Sequence, residues 1–74
     1  MNETLLDLLK KEDRLVRDLQ SNIETYMFLA RENPSSASCK KYEIKMKESN
    51  DALLNCRERI SEYVKFYIFH NRKE

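Results

Sequence analysis

The chain reads as an all-α protein, an antiparallel two-helix hairpin of coiled-coil type, and three observations predict it. Its 74 residues contain no Gly, a single Pro and 36% charged side chains, a composition suited to long helices and poorly suited to the turns of a sheet. Two apolar stripes with heptad spacing occupy the first and second halves. Between them lies one short break, Asn33-Pro34-Ser35-Ser36-Ala37-Ser38. The length allows one domain at most, with helix at about 4–32, turn at about 33–38 and helix at about 39–70.

In the first arm, apolar residues recur at Leu5, Leu9, Val16, Leu19, Ile23, Tyr26 and Ala30, with Glu12 in the one missing slot. Leu8, Leu15 and Leu29 widen the stripe on one flank and Leu6 and Met27 on the other, a breadth that suits a bundle better than a narrow seam. Thr4, followed three residues later by Asp7, is a helix start signal. Pro34 disfavours helical geometry at the residue before it, and the serines after it can cap a new helix. A single uninterrupted helix is the competing reading, and Pro34 argues against it.

The second stripe runs Cys39, Tyr42, Met46, Ser49, Leu53, Cys56, Ile60, Tyr63, Tyr67 and His70 without a skip. Two stripes of matching length on a short linker fold back on each other, each arm about 40 Å long at about 1.5 Å per residue. This brings Leu5, Leu6, Leu8 and Leu9 beside residues 63–69, which read Tyr63, Val64, Lys65, Phe66, Tyr67, Ile68 and Phe69. A two-helix seam cannot take all of these side chains. Tyr63 and Tyr67 belong to the stripe, and the surplus, Leu6, Leu8, Phe66, Ile68 and Phe69, is the expected partner-binding surface.

The remaining residues carry no recognisable chemistry. Cys39, Cys56 and His70 are separated by 17 and 14 positions on one helix, so the two sulfurs lie roughly 25 Å apart, beyond disulfide or shared-metal reach. Both cysteines read as small core residues and His70 as a helix-end cation. Glu12 and Ser49 are polar breaks that set register or turn to solvent. Asp13 with Arg17, and Glu58 and Glu62 beside Arg57 and Arg59, read as a solvated face. Neither an enzyme, a cofactor nor a metal is expected.

Lys plus Arg number 14 against 13 acids, interspersed, which argues against nucleic acid as a partner because phosphate binding needs a clustered basic face. The start, with Asn2 and Glu3, does not read as a secretion signal, and no stretch approaches the roughly 20 apolar residues of a membrane span. Lys65, Arg72 and Lys73 flank apolar bulk as in a membrane-surface anchor, but residues 63–69 lack a separate polar face. Stable membrane insertion is not expected, and a cytoplasmic location is.

Tyr42, the charged stretch Lys45-Met46-Lys47-Glu48-Ser49, then Ala52 and Leu53 and the closing Ile60, Tyr63 and Val64 give the second arm a likeness. It resembles the small co-chaperone subunits of bacterial type III secretion systems. The resemblance covers about half of the chain. It implies a helical-repeat chaperone as the direct partner and, through it, a needle subunit kept unpolymerised in the cytoplasm. The needle subunit itself is the alternative likeness, carried by Asn33, Pro34, Ser35 and Tyr42; against it stand a missing second turn proline and the charged end Asn71-Arg72-Lys73-Glu74. A third possibility is a small inhibitor or regulator that forms a homodimeric four-helix bundle.

Overall fold

A computed structural model of the chain describes residues 3–71. Asn2, Arg72, Lys73 and Glu74, weighed above, lie outside the described residues. Two helices, α1 (Leu5–Glu32) and α2 (Ala37–Asn71), pack against each other as an antiparallel hairpin, and no strand occurs among the described residues. The molecule measures 60 × 22 × 14 Å. Its radius of gyration of 17.0 Å compares with about 11 Å for a globular domain of this length.

Each helix end has an identifiable local cause. At the start of α1, Thr4 Oγ1 accepts a hydrogen bond from the Asp7 N–H (3.1 Å), and the Thr4 N–H donates to Asp7 Oδ2 (3.2 Å). This reciprocal capping box satisfies two amide donors that would otherwise face water. The same bonds favour the ionised carboxylate, so the Thr4 backbone N–H first and the Thr4 side chain second hold the Asp7 carboxyl below its ordinary value of 3.8. At the far end the Asn33 N–H donates to Leu29 O (2.7 Å), and the Ser36 N–H closes the turn on Asn33 O (3.1 Å).

Ser36 is the residue that starts α2. Its hydroxyl accepts from the Cys39 N–H (3.0 Å), and its carbonyl takes the Lys40 N–H (3.3 Å). The second helix therefore begins at Ala37, two residues before the sequence expectation, and the linker shrinks accordingly. At 35 residues α2 is also longer than the 28-residue α1, so the arms do not match in length.

The described core is thin and consists of Leu8, Cys39, Leu53 and Cys56. Cys39 and Cys56 are both buried and unbridged. Cys56 Sγ donates to the carbonyl of Leu8 (3.4 Å), tying the middle of α2 to the first turns of α1. Leu8 is completely covered while Leu9 is 41% exposed. In this layer Leu8 enters the seam in place of Leu9, while Leu5, Glu12, Leu19 and Tyr26 stay partly covered as the stripe suggested.

Polar links across the seam fix the register. Asn22 Nδ2 donates to Ser49 Oγ at 2.6 Å, so Ser49 sets register instead of merely interrupting the stripe. Glu12 fills its slot by accepting from Arg57 Nε at 2.8 Å, with both groups partly in solvent. Nearer the open end, the Tyr63 hydroxyl donates to the carbonyl of Glu3. Arg59 Nη1 lies 3.0 Å from Glu3 Oε1 but away from the hydrogen-bonding direction, so this shielded oxygen is held by charge alone. Lys11 approaches the other Glu3 oxygen at 3.7 Å. Arg57 and Arg59 are exposed, as expected of a solvated face, and also reach across to Glu12 and Glu3; Asp13 and Arg17 pair along α1 at 2.9 Å as the spacing implied.

Candidate binding surface

Tyr63 is the last residue of α2 with a hydrogen bond to the other arm among the described residues, and its acceptor is Glu3, the first described residue, just ahead of α1. Residues 64–71 continue as helix past that point for about 12 Å at about 1.5 Å per residue. Val64, Phe66, Tyr67, Ile68 and Phe69 are all exposed there, Phe69 to 73%. Tyr67 was expected in the seam; the overhang leaves it half uncovered because no described residue of α1 reaches that far.

The exposed rings are ordered against one another. Phe66 sits 4.1 Å from His70 between ring centroids and meets Tyr67 edge-on at 5.8 Å. Tyr67 stacks towards Tyr63 at 6.3 Å, and Phe69 meets His70 edge-on at the same distance. His70 therefore lies among aromatic rings at the tip. Beside this ladder opens a shallow groove of about 330 Å³ lined by Arg59, Glu62, Tyr63 and Phe66, which offers a cation, an anion and two ring faces in one place. Tyr and Arg anchors of this kind concentrate binding energy at protein interfaces.

The structure divides the five residues expected to form one surface. Phe66 and Phe69 are three apart and share a side of α2. Ile68 is two positions from Phe66, about 200° around the helix, and projects from another side. Leu6 is exposed to 69%, yet it stands two positions from Leu8 and so faces away from α2. Leu8 is corrected outright: with no exposed surface it is a seam residue and cannot meet a partner. Arg59 and Glu62, read from sequence only as part of a solvated face, complete the groove beside Phe66; Met27, expected on the flank of the stripe, is exposed along the shaft, as are Phe28, Ile44 and Leu54, which the sequence did not single out.

No group of three or more His, Cys, Asp or Glu side chains capable of holding a metal ion occurs among the described residues. No described helix is long and apolar enough to cross a membrane. Compared with protein-family models, with curated proteins and with solved structures, the chain matches none. Fold and surface together define an antiparallel helical hairpin with an aromatic overhang.

Proposed function

We propose that this protein is a non-enzymatic binding module, a co-chaperone whose α2 tip docks into a helical-repeat chaperone and thereby helps to keep a type III secretion needle subunit soluble in the cytoplasm. The observation that carries the binding role is the overhang. Five large apolar side chains at 64–69 project beyond the Tyr63–Glu3 bond and have no described cover. A rigid helix with ring anchors at i and i+3, here Phe66 and Phe69, fits the concave groove of a stacked-helix protein. The resemblance of the second arm supplies the identity of the partner.

Co-expression of the full chain with a helical-repeat chaperone and its needle subunit tests this reading. A soluble stoichiometric complex is expected, and replacing both Phe66 and Phe69 with Ser is expected to abolish it while helix content is retained. A complex that survives the double substitution would sink the proposal. Filaments formed by the chain alone on concentration would favour the needle subunit instead.

A further inference from the structure

We infer that the groove beside the aromatic ladder seats an arginine side chain of the docking partner, with Glu62 as its carboxylate and Tyr63 and Phe66 as its ring faces. This rests on the reading of the α2 tip as a docking surface, and not on which partner arrives. Arg59, Glu62, Tyr63 and Phe66 stand at i, i+3, i+4 and i+7, so one side of a single helix presents all four. Their groove of about 330 Å³ is mainly apolar in lining. It falls near the small end of the roughly 300–1,000 Å³ range of ligand sites, which suits one extended side chain.

The polar groups of the groove divide into two that are already engaged and one that is not. Arg59 Nη1 lies 3.0 Å from Glu3 Oε1, and the Tyr63 hydroxyl donates to the carbonyl of Glu3. Both polar ends are committed to the chain itself, and what Tyr63 offers a visitor is its ring. Glu62 is exposed and forms no ion pair among the described residues, although Arg59 stands three positions before it and Lys65 three after. An open anion beside two aromatic faces is what remains.

That set selects a cation on a long apolar stem. Ring faces attract a cation held within about 6 Å of the centroid. A guanidinium is planar, so it stacks on a ring and forks onto a carboxylate at the same time, which the compact charge of a lysine does not. The methylenes of the same side chain cover the apolar wall. An acidic side chain would have to displace Glu3 from Arg59 while lying beside Glu62, and an apolar one would strip water from the Glu62 carboxylate without replacing it. Phe66 belongs both to this groove and to the Phe66–Phe69 anchor pair, so a partner helix seated on the anchors brings its neighbouring side chains to the groove.

Nuclear magnetic resonance titration of the full chain with N-acetyl-arginine amide at low ionic strength tests the inference, with the citrulline and glutamate analogues as references. Saturable shifts at Glu62, Tyr63 and Phe66 are expected with arginine and with neither reference. Glu62→Gln should raise Kd about fivefold with unchanged circular dichroism, and Phe66→Leu, which keeps apolar bulk but removes the ring, about threefold. Glu58→Gln, one turn earlier and outside the groove, should change it less than about twofold. No saturable shift with arginine, equal binding of either reference, or an equal loss from Glu58→Gln overturns the inference. In the co-expressed complex with chaperone and needle subunit, Glu62→Gln should likewise weaken capture about fivefold. A complex indifferent to Glu62→Gln overturns the inference and leaves the docking reading standing. Absence of any wild-type complex strikes the chaperone reading instead, and the arginine titration still decides the groove.

Discussion

The turn end and the open end of this hairpin are built from the same two helices, yet they manage their surfaces in opposite ways. At the turn, Asn33 closes α1, Ser36 starts α2 within a few residues, and Cys39 is already buried one turn later. At the open end, α2 outruns the first described residue of α1, and its rings pack on each other instead of on a neighbouring helix. Backbone amides find caps at one end, while apolar surface is left over at the other. If the open end binds a partner as proposed, stability and binding reside in separable parts of a small chain, a division that substitution can test.

The largest expected loss of stability comes from the seam. Leu8→Ala removes the only fully covered side chain among the described residues and should lower unfolding stability by about 3 kcal/mol, read from the midpoint of urea denaturation. At the turn end, Ser36→Ala deletes the acceptor for the Cys39 N–H and should cost about 1 kcal/mol by the same measurement. Separating Glu12 from Arg57 through a double-mutant cycle should reveal a coupling below about 1 kcal/mol, because solvent reaches both groups, and that coupling should shrink on adding salt. By contrast, Phe69→Ser at the tip should alter stability by no more than about 0.5 kcal/mol while weakening capture of a partner. A large stability loss from Phe69→Ser would break the contrast between the two ends.

A smaller effect is expected from acid. The Asp7 carboxyl is depressed below 3.8 in the folded chain by its bonds to Thr4, so the unfolded chain takes up its proton first as pH falls. The contribution of Asp7 is therefore fully present above the ordinary carboxylate value and is lost as pH drops through the lower folded value. Thr4→Ala removes the side-chain bond but keeps the backbone N–H, so it should raise the Asp7 pKa only part of the way towards 3.8, followed by nuclear magnetic resonance titration of its carboxyl carbon.

Much of the hairpin is legible in the sequence because its causes are local. Pro34 interrupts the first helix, the following serine supplies a cap, and Thr4 with Asp7 three residues on spells the capping box. Burial of Cys39 and Cys56 likewise follows from stripe position. What escaped the sequence depends on contacts between the arms. Leu5, Leu6, Leu8 and Leu9 are chemically identical, so one turn of periodicity cannot decide whether Leu8 or Leu9 enters the seam; the phase set by α2 decides it. Arg57 has no acid three or four residues away, unlike Arg17, and that gap was the available hint that it would reach across to Glu12. The overhang was hidden because Ser36, instead of a later serine, starts α2, and because the stripe alone does not report where α1 stops covering it.

The two buried thiols also make this chain a reporter on its own breathing. Cys39 lies beside the turn and Cys56 against Leu8, and neither is bridged, so a thiol reagent can reach each sulfur only when the arms part at that point. Labelling rates at the two sulfurs would resolve whether the hairpin opens as one cooperative unit or unzips progressively from its free end. Equal rates would indicate global opening, and faster modification of Cys56 a local separation that spares the turn.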